Sequence, residues 1–238
     1  MTGLYPSTSG NYLQLQDQNI KKGNALVAKS TFMPDYFEKH GYKTFGVGKI
    51  YHGGDMAGTF DEFGGWFSWF GPKPPERMKY DPSKMPDKTG GTQTDWGPYP
   101  KHDSAMTDYK VAEYAIGKLN ETHDEPFFLA AGFLRPHVPW HVPQKWFDMF
   151  PLEEIQLPPY LKNDLDDVPE MGRKVNEAPQ MPTAEGLMER GEWKEVIQAY
   201  LACLHLLIPR LEKFWMRLKL QIMLIIPSSY YGRIMVIT

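Results

Sequence analysis

The sequence predicts an α/β fold, with helices layered against buried strands. One order of elements, met twice, carries the prediction. A helix-period run at 31–40 precedes an alternating stretch at 42–48, and a second helix-period run at 105–121 precedes the continuous apolar run PFFLAAGF at 126–133. Helix followed by buried strand, repeated, is the pattern of layered α/β proteins. Composition agrees, since 42% hydrophobic and 23% charged residues over 238 positions suit one globular domain or a large piece of a bigger one. A net charge of −3 leaves no electrostatic footprint for nucleic acid. The longest apolar run, LQIMLIIP near the end, is far shorter than the roughly 20 residues of a membrane span.

Residues 1–30 are polar and turn-rich and give no firm element. The start, MTGLYPSTSGNY, has neither the charged segment nor the apolar core of a signal peptide, so no compartment is read from it. In TFMPDYFEKH (31–40), Phe32, Met33, Tyr36, Phe37 and His40 share one helical face; Ser30 or Thr31 is the expected cap, Pro34 fits the first turn, and Gly41 ends the helix. YKTFGVG then reads as a short strand. Residues 53–104 are rich in Gly, Pro, Trp and Asp without a sustained period, and a connection that long usually covers a site. The helix at 105–121 buries Val111, Ala112, Ala115, Ile116 and Leu119, with Asp103 or Ser104 as its cap. After the apolar strand, the three prolines of LRPHVPWHVP predict a stiff extended loop with no regular element, carrying His137 and His141. PQKWFDMF reads as a short helix, 151–183 as a proline-rich loop, and 184–203 as a helix faced by Trp193, Val196, Ile197, Tyr200 and Leu201.

The chemistry concentrates where the first strand ends. GKIYHGGD (48–55) sets Lys49 and His52 three residues apart between glycines, at the strand end where α/β proteins gather ligands. Glycine admits close backbone approach, and the two cationic side chains form a hook for an anion. Read bare, Lys49 is equally a solvated lysine and the histidines ordinary loop residues. Asp55, Asp61 and Glu62 read as scattered loop acids rather than metal ligands. Cys203, the sole cysteine, lies in the apolar helical run QAYLACL and reads as a buried inert thiol. The 7 tryptophans suit packing first and flat sugar ligands second.

Three segments in consistent order, TGLYPSTSG, FMPDYFEKHGYKTFGVGKIYH and PFFLAAGFLRPHVPWHVPQKWFDMFP, resemble the type I sulfatases in their iduronate-2-sulfatase-like branch; the match runs over about residues 2–203. The resemblance implies the alkaline-phosphatase-like α/β fold, here incomplete, as a partial central sheet with flanking helices. It implies a sulfuric ester hydrolase acting on sulfated carbohydrates through a formylglycine made from cysteine, beside a bound calcium. It implies that Lys49 and His52 contact the sulfate and the nucleophile region, and that His137 contacts the sulfate or the leaving-group oxygen. Arg135 and Trp140 are the expected substrate-binding neighbours, although lysine is commoner than arginine at the former position. His141 is left structural. Fixed cations suit such chemistry because charge grows on the sulfuryl and bridging oxygens, and a histidine titrating near neutrality can pass a proton.

The chain departs from the family at both ends. The family's C-x-P-S-R nucleophile motif precedes TGLYPSTSG, and here Met1 stands just past it, so the nucleophile and the calcium-binding residues are expected to be absent. The chain is therefore expected to be catalytically inactive, the alternative being a sulfated-glycan or anion-binding module built on Lys49, His52, His137 and the tryptophan-rich 60s loop. From residue 204 the composition turns basic, with Arg210, Lys213, Arg217, Lys219 and Arg233 against Glu212. Reading each third codon base with the next two, Met235–Val236 must give glycine, while Gly232 to Met235 permits Ser-Asp-His, so the tail can spell the family's S-D-H-G. Residues 1–203 are accordingly expected to be a partial sulfatase domain and 204–238 an out-of-frame tail. Its apolar stretch Leu220–Ile226 is then a candidate for self-association.

Overall fold

The computed structural model describes residues 1–10, 12, 21, 24–52, 58–68, 70–81, 93–176, 182–225 and 233–237. In chain order these form helices α1 (Pro6–Ser9), α2 (Ala25–Lys29) and α3 (Met33–Lys39), strands β1 (Lys43–Gly48), β2 (Glu62–Phe63) and β3 (Trp96–Pro98), and helix α4 (Thr107–Asn120). Strands β4 (Phe127–Gly132) and β5 (Trp140–Val142), helices α5 (Gln144–Phe147), α6 (Glu170–Asn176), α7 (Ala184–Glu189) and α8 (Trp193–Ile225), and strand β6 (Arg233–Ile237) follow. The chain folds as two compact units: Met1–Trp69, Thr107–Leu134 and Pro209–Thr238 form one, and Phe70–Met106 with Arg135–Ile208 the other.

The first unit is built on a parallel sheet in the order β2-β1-β4-β6. The pairing runs from Lys43↔Phe127 to Gly48↔Gly132, so the two central strands end level. Alternation then sorts the side chains. Phe128 and Ala130 join a buried cluster with Val27, Phe32, Tyr51 and Phe60, against which Phe37 packs. On the other face Phe45 lies under the Lys118 ammonium of α4, 4.8 Å from the ring centre. All six residues of β4 are buried, as a strand covered on both faces requires. Gly46 is needed where it stands, because a Cβ there would meet the Phe60 ring at 2.7 Å. The expected helix–strand alternation is therefore present. The caps differ from expectation. Phe32 takes the N-cap of α3 without a side-chain bond, because Ser30 Oγ is turned back to the Leu26 carbonyl at 2.8 Å. Asp103 and Ser104 form a 3₁₀ turn ahead of α4, and Asp103 binds the Trp146 indole and Lys145 instead.

In the second unit, β3 and β5 pair in parallel, Trp96↔Trp140 through Pro98↔Val142. This corrects the expectation that the prolines of 134–143 deny any regular element. Trp140, His141 and Val142 lie between Pro139 and Pro143, and a short strand needs no proline N–H in its ladder. The expected helix at 184–203 is two helices, α7 and α8, broken at Gly191, whose φ of +68° favours glycine. α8 then runs on past Cys203 and through Pro209 to Ile225. Strand β6 pairs with β4 from Phe128↔Arg233 to Gly132↔Ile237. Residues 204–225 thus form the C-terminal part of α8 and residues 233–237 form β6, while the side chains of 220–238, those of Leu220–Ile226 included, lie outside what is described. Among the described residues no helix is long and apolar enough to cross a membrane.

Candidate functional site

Lys49 is the first residue beyond β1. Its amide N–H donates to the Gly132 carbonyl at 2.8 Å, and the amide of Ile50 turns back to Gly48 at 3.0 Å. The turn is possible only with glycine on both strands. A Cβ on Gly132 would fall inside the backbone of Lys49, and one on Gly48, at φ +75°, would strike the Gly132 carbonyl. The sheet end therefore fixes Lys49 by backbone contact. The ammonium is partly buried, and that burial pushes its pKa below the ordinary lysine value. Among the described residues no carboxylate forms an ion pair with it. Tyr51 turns inward into the aromatic cluster, and partly buried His52 is the last described residue before 58.

His137, Arg135 and Trp140 lie in the second unit, on the segment leading into β5. His137 Nδ1 is 2.7 Å from the carbonyl of Val138. A carbonyl only accepts, so Nδ1 carries a proton in this contact. The Phe70 ring stands 5.7 Å from the imidazole. Arg135 is only 2% exposed, and its guanidinium reaches the carbonyls of Phe70, His137 and His141. Trp140 is buried, donates its indole N–H to the Pro136 carbonyl at 2.8 Å, and sets its ring against Tyr200. Both side chains are buried against partners within their own unit.

One constellation here has no signature in the sequence. Buried His141 lies 3.2 Å from Asp95 through Nε2. The same carboxylate accepts the amide N–H groups of Met78, Lys79 and Tyr80 at 2.9–3.0 Å. Burial alone would raise the Asp95 pKa, but the His141 bond and the three amides bring it down to about 2. His141 is thus the structural residue expected of it, with a partner far away in sequence.

The acids beside the hook are engaged elsewhere. Asp61 accepts from the Thr44 amide at 2.7 Å and hydroxyl at 2.9 Å, with Lys43 nearby. Burial would raise its pKa, yet Thr44 and Lys43 together hold it below the usual range. Glu62 is held low chiefly by Lys118, at 2.8 Å, and by Tyr114. Asp55 lies outside the described residues. Among the described residues no three His, Cys, Asp or Glu side chains converge as a metal would need, and Asp61 and Glu62 are spent on Thr44, Lys43, Lys118 and Tyr114. Cys203 is buried on α8.

One unit is a parallel sheet whose strand ends hold Lys49, and the other carries His137 on a proline-rich segment ahead of β5, the elements of a layered α/β protein. The family model described as Sulfatase matches residues 1–205, and the chain belongs to that family, with its alkaline-phosphatase-like α/β fold. A sulfatase of Formosa agariphila is 46% identical over 208 residues, covering 85% of this chain and 41% of that protein. The iduronate 2-sulfatases of Mus musculus and Homo sapiens are each 31% identical over 169 residues, covering 67% of this chain and 29% of theirs. These relatives place the chain in the iduronate-2-sulfatase-like branch. The chain spans less than half the length of each of them.

Proposed function

We propose that this chain carries the sulfate-gripping portion of a sulfate ester hydrolase, with Lys49, His52 and His137 as its sulfate contacts. The observation that favours this is Lys49, whose backbone is set by the glycine-lined strand ends and whose ammonium is depressed in pKa by burial and paired with no carboxylate among the described residues. Such a group gains from an incoming anion what burial has cost it. His137, with Nδ1 tethered, would handle the proton at the bridging oxygen through Nε2. Sulfated carbohydrates are the substrate class that the branch suggests. The 238 residues are proposed not to turn over sulfate esters by themselves. Formylglycine arises from cysteine, and Cys203 is sealed inside a helix. Residues 204–238 are proposed to be an out-of-frame continuation, which the end of the family match at residue 205 and the change to basic composition support.

Calorimetry of the full chain with inorganic sulfate and with a sulfated oligosaccharide tests the reading. Weak, saturable binding that disappears in Lys49→Met is expected, together with no release of 4-nitrophenol from 4-nitrophenyl sulfate in the presence of calcium. No heat at millimolar ligand would remove the anion role, and turnover above the blank would remove the claim of inactivity.

A further inference from the structure

Arg135 is a buried guanidinium whose donors go to backbone. Nη1 lies 3.1 Å from the His137 carbonyl. Nε and Nη2 lie 3.3 and 3.2 Å from that of His141. Nη1 and Nη2 lie 3.3 and 3.4 Å from that of Phe70. These three carbonyls belong to His137 and to two further residues of its unit. The first belongs to His137 itself, the second to His141, which is anchored on Asp95, and the third to Phe70, whose ring stands 5.7 Å from the His137 imidazole. Room for the guanidinium is made by Gly71. It sits at φ +77°, and a Cβ there would stand 2.6 Å from Nη2. An arginine placed so cannot reach outward to a substrate. Its planar fork instead spans several acceptors at once, which a lysine's single ammonium does less well.

We propose that Arg135 is a positioning residue for His137: together with the space left by Gly71 it fixes the backbone on which the imidazole sits, and so keeps Nδ1 on the Val138 carbonyl and Nε2 as the proton-exchanging nitrogen. The functional weight of this rests on the sulfate role given to His137 above. The tautomer claim stands on geometry alone.

The test is imidazole nitrogen NMR on the full chain with ¹⁵N-labelled histidine, using inorganic sulfate as the probe. In the wild type, neutral His137 should show one tautomer, protonated at Nδ1. Arg135→Met should replace it with an exchanging mixture and weaken sulfate binding about tenfold, a loss of about 1.4 kcal/mol. Arg135→Lys should restore part of both. Gly71→Ala should reproduce the defect with the arginine still present, and it decides the matter alone if Arg135→Met does not fold. An unchanged His137 tautomer in the folded variants would overturn the proposal. Should the tautomer change as expected while sulfate leaves the wild-type His137 signals unmoved, the positioning role stands and the sulfate reading falls.

Discussion

Lys49 and Arg135 are both cationic side chains that follow the end of a buried parallel strand, yet their charges meet different fates. Lys49 is placed by backbone: its amide is tied to Gly132, while its ammonium is left without a carboxylate among the described residues. Arg135 is placed by its own side chain, whose donors go to three carbonyls of its unit. In sequence the two look equally suited to grip an anion. The difference teaches that a cation is a ligand site only after its donors have been counted against the acceptors its own fold supplies.

The largest effect expected is at the floor beneath Lys49. Gly132→Ala would drive a Cβ into the Lys49 backbone, where nothing flexible can yield. The level pairing of β1 and β4 should break, at a cost of about 3 kcal/mol or more, in the range of severe core strain. Urea unfolding followed by circular dichroism checks this. An unchanged midpoint would mean that Lys49 is not set by the strand ends, and the contrast with Arg135 would lose its first half.

Next comes the anchor of the second unit. Asp95 accepts from His141 and three amides in a buried site, so Asp95→Ala should cost about 3 kcal/mol through orphaned donors. The pH dependence follows from the same bonds. The folded-state pKa is depressed to about 2, so the stabilisation is fully present above the unfolded value of 3.8 and is lost as pH falls through that window. Its size is about 2 kcal/mol by linkage. Acid unfolding monitored on Trp96 and Trp140 fluorescence should show this loss in the wild type and not in the variant.

These two effects also mark the limits of what the sequence discloses. Helix α3, both long strands and the glycine turn before Lys49 were legible, because apolar periodicity and a glycine at a strand end are local signals, whereas the short helices α1 and α2 within residues 1–30 were not. The β3–β5 pair was not, since two three-residue strands between prolines carry too few positions for any period. The Asp95–His141 contact joins residues remote in the chain, and nothing near either announces the other. The break at Gly191 did have a signal, a glycine inside a helical pattern, which the apolar face at 193–201 outweighed. The hydrogen-bond partners of Arg135 and Trp140 could not be read, because a motif names side chains without saying which carbonyls will claim them. The continuation of α8 beyond Cys203 runs against proline's usual effect, since Pro209 removes one helical hydrogen bond and still sits inside the helix.

Lys49→Met should separate binding from stability. Removing a desolvated ammonium that has no carboxylate partner among the described residues is expected to leave the melting temperature equal or higher, while sulfate binding is lost. The sign of the pH effect is opposite to that of Asp95. A lysine whose folded pKa is lowered imposes its cost fully below that pKa and is relieved as pH rises towards the ordinary 10.5. Bound sulfate should remove the relief by drawing the pKa back up. A fall in melting temperature would show that the ammonium has a stabilising partner, and would make Lys49 resemble Arg135.

The smallest effect belongs to Glu62. It lies close to the hook in sequence, but its carboxylate is spent on Lys118 and Tyr114 at the surface. Glu62→Gln keeps the hydrogen bond from Tyr114 and gives up only an exposed charge pair, so the expected loss is about 0.5 kcal/mol. That loss should shrink further in high salt, because exposed pairs are screened over a Debye length of about 10 Å at 0.1 M. Calcium titrations of wild type and variant should be superimposable if the acid serves the sheet rather than a metal. A calcium-dependent rise in melting temperature that Glu62→Gln abolishes would instead place an ion beside β2, and the strand end would then hold a charge balance of a different kind from the one argued for Lys49.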